Sequence, residues 1–176
     1  MFADDNTLGT TQAASFGNII YIRPGKSYEY YVENGAHEVL HSSIASKIGK
    51  TNEYTFLSPQ DYCFVNMSNE AAAGTEGKLA IYLLCPDKRD TLASNIDVTD
   101  DMARFNAFVN IIRAQNPTLN QAQQLKLAVQ NFYRNFFADS SYLAYFLPKN
   151  MKDFNLYTSD NKKQPEKDTD SKKKIP

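Results

Sequence analysis

The stretch Tyr54–Asn66 constrains the fold most, because its aromatic residues recur at every second position on either side of a Ser-Pro-Gln-Asp sequence. Tyr54 and Phe56 precede this tetrapeptide, and Tyr62 and Phe64 follow it. Such alternation is typical of half-buried strands, and a Pro-containing tetrapeptide between two such runs is typical of a turn. The stretch therefore predicts a β-hairpin on which the rest of the chain packs.

Further short runs of aromatic and β-branched residues surround this hairpin, with turn residues between them. The predicted strands are Asn18–Arg23, Ser27–Val32, Glu53–Leu57, Tyr62–Met67 and Leu79–Cys85. Short strands at regular spacing predict an antiparallel β-sandwich, immunoglobulin-like or jelly-roll-like, over residues 17–86. Residues 36–48 fit either a short helix or a weak strand.

The order of strand, Pro-Gly turn, Tyr-rich strand and aromatic hairpin resembles that of immunoglobulin-like accessory sandwiches. The segment Asp61–Asn66 alone is similar to the GOLD type of secretory sandwich. These resemblances imply a β-sandwich and no particular site residues.

The second half of the chain has apolar residues at a period of about 3.6, which predicts a helical segment over residues 87–157. Asp97 or Thr99 is expected to cap the first helix. A short third helix is predicted from Tyr142 to Leu147, ending before Pro148. The complete fold class predicted is therefore α+β, with a sandwich followed by helices.

Both ends of the chain are polar. Residues 1–16 show no periodicity and predict a flexible arm. Residues 158–176 contain six Lys and four acids, and predict a disordered Lys-rich tail.

The overall composition excludes several classes of protein. The net charge of −1 over 176 residues gives no electrostatic indication of nucleic-acid binding, and no run of about twenty apolar residues predicts a membrane span. The first residues are acidic and polar, so no secretory signal peptide is predicted, and the expected location is the cytoplasm or a virion.

His37, Glu38 and His41 belong to the sequence His-Glu-Val-Leu-His, which matches the His-Glu-x-x-His pattern of zinc metalloproteases. On a helix, both imidazoles would ligate zinc and Glu38 would act as general base. The chain has only two His, so a third ligand would have to be an acid further along the sequence. Because the segment lies in a region predicted to be β-rich, we expect a hydrogen-bonded or solvent-facing His pair and no cofactor. A zinc-dependent enzyme is the alternative.

Other catalytic sites are excluded by missing residues. A cupredoxin-type copper site at Cys63 and Met67 needs a His between them, and there is none. No Gly-x-Ser-x-Gly sequence and no glycine-rich phosphate loop occur. Cys63 and Cys85 lie in predicted apolar strands, so we expect reduced, buried thiols rather than a disulfide or a nucleophile.

Two groups of aromatic residues are candidates for binding. Tyr28, Tyr30 and Tyr31 on the first predicted hairpin could stack on sugar rings, although packing on the sheet is the expected role. The second group has four aromatic residues within six positions, more than one helix face can bury, and is a candidate protein contact. It comprises Phe132, Tyr133, Phe136 and Phe137.

The function predicted from these observations is a non-catalytic structural or adaptor subunit of a large assembly, such as a phage virion. Its expected partners are other protein subunits in a homo- or hetero-oligomer, with neither nucleic acid nor membrane. A glycan- or small-ligand-binding sandwich and the zinc-dependent enzyme are the two alternatives.

Overall fold

A computed structural model of the chain describes residues 12–16, 19–48 and 58–161. These residues form a mainly helical protein with one small sheet. Strands β1 and β2 cover Ala13–Phe16 and Ile19–Ile22, and a short 3₁₀ turn covers Pro86–Lys88. The helices are α1 (Tyr28–Ile48), α2 (Pro59–Leu84), α3 (Asp101–Gln115), α4 (Gln121–Ala138) and α5 (Ser140–Asn161).

The predicted β-sandwich is wrong, and with it the sandwich resemblances. Of the predicted strands within the described residues, only the first exists, as β2, which pairs with β1 in an antiparallel register of Ala13 with Ile22. The segments Ser27–Val32, Tyr62–Met67 and Leu79–Cys85 lie wholly or largely in helices. Glu53–Leu57 lies outside the described residues.

The hairpin turn expected after Leu57 is instead the start of a helix. The Ser58 hydroxyl accepts a hydrogen bond of 3.2 Å from the backbone N–H of Asp61, and Pro59 occupies the first turn. Ser at the N-cap and Pro at the first helical position are both strongly favoured, and an acid in the first turn complements the helix dipole. The same residues thus serve a turn or a helix start equally well.

Helices α1 and α2 pack closely in opposite directions. Glu33 lies opposite Lys78, and His37 lies opposite Glu70, so residue numbers rise along one helix as they fall along the other. Gly77 permits the approach, since a Cβ there would lie 3.1 Å from the Glu33 carbonyl oxygen. A larger residue at position 77 would meet the Glu33 backbone as well as its side chain.

Helices α3 and α4 carry the apolar stripes that the sequence predicts, and they form the main core with α2. Phe105, Val109 and Phe132 are fully buried there, and Tyr82 of α2 packs against them. The N-cap of α3 is Asp100 rather than the predicted Asp97 or Thr99, and its carboxylate accepts a bond of 2.7 Å from the Ala103 N–H.

Helix α5 packs on α2 in a second apolar cluster and is longer than predicted. Tyr142 is buried against Cys63 and Met67, and its hydroxyl donates to the Met67 carbonyl oxygen. The helix continues through Pro148, at which it was expected to end. None of the helices in the described ranges combines the length and the hydropathy needed to cross a membrane.

Candidate metal centre

Two histidines of α1 and one glutamate of α2 converge where the two helices face each other. His37 and His41 are four residues apart and so share one face of α1. Their Nε2 atoms lie 3.0 Å apart. The carboxylate of Glu70 lies 3.6 Å from the His37 Nε2 and 3.5 Å from the His41 Nε2. The three side chains are half-buried.

The spacing of these donor atoms matches one face of a tetrahedral metal site. Zinc bonds of about 2.0–2.2 Å in tetrahedral geometry place neighbouring ligand atoms about 3.4 Å apart. The observed separations lie on either side of this value, with Glu70 Oε2 facing His37 and Glu70 Oε1 facing His41. Two imidazoles and one carboxylate are also a ligand set of catalytic zinc, which keeps the fourth position open.

The pKa shifts of His37 and Glu70 favour the binding of a cation. Burial and the neighbouring His41 lower the pKa of His37, which favours the neutral imidazole that ligates a metal. Burial alone would raise the pKa of Glu70, but the hydrogen bond from His41 and the charges of both histidines outweigh it and lower that pKa. Burial opposes protonation of His41, yet its bond to Glu70 raises the pKa of this imidazole.

Glu38 lies outside the group of three donors, although it belongs to the same sequence pattern. It is 7% exposed, and burial raises the pKa of its carboxyl against the opposing effects of the His41 charge and hydrogen bonds from Ser15. Ser15 belongs to β1, so Glu38 joins α1 to the hairpin beside the histidines. Its role as general base stays a prediction.

A cavity of about 260 Å³ opens beside His37 and Glu70. Glu33 and Lys78 form an ion pair in its wall, and their side chains are 34% and 15% exposed. The aromatic residues of its wall are Phe132, Phe136, Tyr142 and Phe146. A larger depression of about 440 Å³ adjoins it and shares Asp101 and three of these aromatic residues. The candidate ligands are therefore accessible to a small molecule.

The structure corrects the main objection to a metal site at His37 and His41. The objection was that a His-Glu-x-x-His site needs a sustained helix, and the segment lies within the 21-residue helix α1. The open choice between helix and strand for residues 36–48 is thereby settled as helix. Glu70, an acid further along the chain, is the candidate for the third ligand.

Glu70 is not among the candidates predicted from the sequence, because this residue falls between the predicted strands Tyr62–Met67 and Leu79–Cys85 and not in a predicted helix. Two signals could have identified it. Cys63, Met67 and Ala71 recur by four and are all buried, as on one face of a helix. Gly77 follows Glu70 by seven residues, which places both on the same side of that helix.

The three tyrosines predicted to contact a ligand lie in the first turn of α1 and not on a sheet. Tyr28 is 62% exposed. The Tyr30 hydroxyl donates to the Gln12 carbonyl oxygen at 3.0 Å, and the Tyr31 hydroxyl accepts from the Lys26 N–H at 3.0 Å. The β-sandwich on which the glycan-binding hypothesis depended is absent from the described residues.

The four aromatic residues predicted to contact a protein occupy different environments. Phe132 is fully buried in the main core, and Phe136 stacks on it with ring centroids 5.7 Å apart. Tyr133 and Phe137 stack on each other and pack on the second cluster. The prediction of a protein contact here stays untested.

The expectation of reduced, buried cysteines is confirmed. Cys63 and Cys85 are both free and are 3% and 2% exposed. Burial raises the pKa of both thiols, which removes the thiolate that a nucleophile would need.

Comparison with known proteins adds no family to these observations. No protein-family model, curated protein or solved structure matches the chain significantly. The expectation of a virion or structural protein thus gains no support, and the β-sandwich associated with it is wrong.

Proposed function

We propose that the protein binds one divalent transition-metal ion, with zinc as the best fit, through His37, His41 and Glu70, and that the ion supports hydrolysis in the adjacent cavity. The observation that carries this proposal is the convergence of three side chains. The two imidazole Nε2 atoms lie 3.0 Å apart, and one oxygen of Glu70 lies 3.6 Å from His37 while the other lies 3.5 Å from His41. Donor separations of this size are close to those around a tetrahedral ion.

The ligand set favours zinc over the alkaline-earth ions. Imidazole nitrogen suits zinc and other late transition metals, whereas magnesium and calcium prefer oxygen ligands. Only one of the three donors is an oxygen. We therefore expect zinc, cobalt and nickel to bind and magnesium not to compete.

The proposed hydrolysis depends on the side of the metal site that faces the cavity. Three protein ligands leave a fourth position for water or substrate, and His37 and Glu70 border the cavity. A bound zinc ion supplies a Lewis acid and lowers the pKa of its water toward neutrality. Glu38 is the proposed general base on the strength of the sequence pattern alone, because it does not line this cavity.

The test is zinc titration of the metal-stripped full-length protein, followed by metal analysis after gel filtration. We expect one zinc per chain. His37→Ala, His41→Ala and Glu70→Gln should each abolish stoichiometric binding, while Glu76→Gln, which changes another acid of α2, should retain it. Zinc at 100 times its dissociation constant should also stabilise the fold by about 2.7 kcal/mol.

Two results would overturn the proposal. One is a wild-type protein that remains folded by circular dichroism and retains no zinc. The other is undiminished zinc binding in Glu70→Gln, which would place the ion elsewhere. Hydrolysis is tested on the zinc-loaded protein with ester and peptide substrates, with Glu38→Gln expected to retain zinc and lose turnover.

A further inference from the structure

The cavity beside the candidate metal centre has a second charged group placed to act together with the ion. Glu70, Gly74 and Lys78 recur at intervals of four on the face of α2 that meets α1. Gly74 borders the cavity and lets the Phe136 ring come close, since a Cβ at this position would lie 3.3 Å from that ring. Helical side chains lean toward the N-terminus of their helix, which directs the Lys78 stem back over Gly74 toward Glu70.

Lys78 is held in this position by Glu33 of the opposite helix. Its ammonium donates to the Glu33 carboxylate, and its side chain is only 15% exposed. Glu33 is four residues before His37 and therefore lies on the same face of α1. The Lys78 ammonium and the candidate ligand His37 consequently border one cavity of about 260 Å³.

The charges around this cavity depend on whether the metal is bound. Glu33, Glu70 and Asp101 contribute three carboxylates and Lys78 one ammonium, so the formal charge is −2 with His37 neutral. The Arg104 guanidinium lies 3.8 Å from the Asp101 carboxylate and compensates it. With Asp101 compensated, Glu33, Glu70 and Lys78 carry a formal charge of −1. A divalent ion raises the total to +1. A single negative charge would neutralise it.

We infer that the cavity binds an organic monocarboxylate, with one oxygen toward the metal and the other toward Lys78. This inference rests on the proposed metal site. A carboxylate has one charge and two acceptor oxygens, which suits an ion and an ammonium acting as separate point charges. Phosphate at neutral pH is a mixture of monoanion and dianion, and only the monoanion matches this charge.

The rest of the cavity specifies what the carboxylate is attached to. Phe136, Tyr142 and Phe146 form the wall opposite the two charged helices. Flat aromatic rings favour an apolar or aromatic body, which they contact by stacking or edge-to-face packing. The ligand class is therefore an aryl- or alkyl-substituted carboxylate, which is also the acid product of ester or amide hydrolysis.

The experiment is calorimetric titration of the zinc-loaded protein with phenylacetate, with acetate and inorganic phosphate as comparisons. We expect phenylacetate to bind more tightly than either, and to show no binding to the zinc-free protein. Lys78→Met should weaken phenylacetate binding about tenfold or more, because a hydrogen bond to a charged group is lost. Lys78→Arg should restore most of the affinity.

The variant Glu33→Gln tests whether Lys78 binds the ligand carboxylate or serves only in a structural ion pair with Glu33. Removing the partner carboxylate makes Lys78 more available and the cavity more positive, so phenylacetate should bind more tightly than to wild type. A purely structural pair would predict that Lys78→Met and Glu33→Gln both leave phenylacetate affinity unchanged or both reduce it.

Zinc content is measured for every variant, so the two proposals fail separately. Absence of zinc in the wild type refutes the metal site. Zinc binding with equal phenylacetate affinity in wild type and Lys78→Met refutes the carboxylate site alone. Binding of phenylacetate to zinc-free protein, or tighter binding of phosphate, also overturns it.

Discussion

Replacing Gly77 by Ala tests whether the close approach of α1 and α2 sets the geometry of the metal centre. A Cβ at this position would lie 3.0 Å from the Glu33 Cγ and 3.1 Å from the Glu33 carbonyl oxygen. Because the second atom is backbone, a side-chain rotation cannot relieve the contact. The two helices must separate locally by a few tenths of an ångström.

The expected cost follows from two opposing effects. Overpacking in a close contact costs about 1–3 kcal/mol. Ala is favoured over Gly within a helix by about 1 kcal/mol, which offsets part of that cost. Gly77→Ala should therefore lower the free energy of unfolding by about 1 kcal/mol. Glu70 lies two turns away on the same face of α2, so we also expect zinc affinity to fall roughly tenfold, as for other changes around metal ligands.

Gly35→Ala is the matched control on the opposite helix. Its Cβ would meet only the Ile22 Cδ1, at an ordinary distance of 3.8 Å. This variant has the higher helix propensity of Ala and no close contact with another helix. It should therefore be more stable than wild type by up to about 1 kcal/mol. The stability difference between the two variants then isolates the packing cost.

The assays are urea unfolding of both variants in EDTA and competitive zinc titration against a chromophoric chelator. Measuring stability without metal prevents zinc from masking the packing effect. Equal stability of Gly77→Ala and Gly35→Ala would refute the close approach at Gly77. Unchanged zinc affinity in a destabilised Gly77→Ala would show that helix spacing does not control the metal centre.

Three further predictions concern the framework around the site. Phe132→Ala should destabilise the protein by about 3–5 kcal/mol in urea unfolding, because it empties a fully buried position. Hydrogen bonds to Asp139, first of all from the Ser141 hydroxyl, lower the pKa of that carboxyl. The ionised Asp139 therefore stabilises the fold above its unfolded pKa of about 3.9, and this stabilisation is lost as the pH falls through the folded pKa. Asp139→Asn should thus cost about 1 kcal/mol at pH 7, and the difference from wild type should vanish in acid. Thiol titration should find no rapidly reacting group in the native protein and two, Cys63 and Cys85, after unfolding.

The helices α3 and α4 were predictable because their local signals agree with one another. Phe105, Val109 and Ile112 recur by three and four, and all three are buried. Asn120 forms a capping box with Gln123, which fixes the start of α4. Periodicity and capping residues indicate the same helices there, so the tertiary contacts do not change the secondary structure that the local sequence favours.

The first half was misinterpreted because its local signals conflict. Tyr62 and Phe64 alternate as in a strand, yet both lie in a helix, where Tyr62 packs on Phe154 of α5 and Phe64 packs on Phe137 of α4. Phe64 nevertheless stays 62% exposed. Gly35 and Gly77, which resemble turn residues, lie inside helices. Glycine is unfavourable in a helix. The pairing of α1 with α2 explains it at Gly77, where the Glu33 backbone comes close, but not at Gly35, which has no such contact.

The metal centre shows how far sequence could have gone once α2 was recognised as a helix. At 100° per residue, Glu70 and Gly77 lie within about 20° of each other around the axis. Asp61 lies on the opposite side from Glu70, and Glu76 is about 120° away from it. Gly77 marks the side that approaches α1, so Glu70 is the one acid of α2 that the helix geometry directs at the histidines. The glycine that obscured the helix in the sequence therefore also identifies the third ligand.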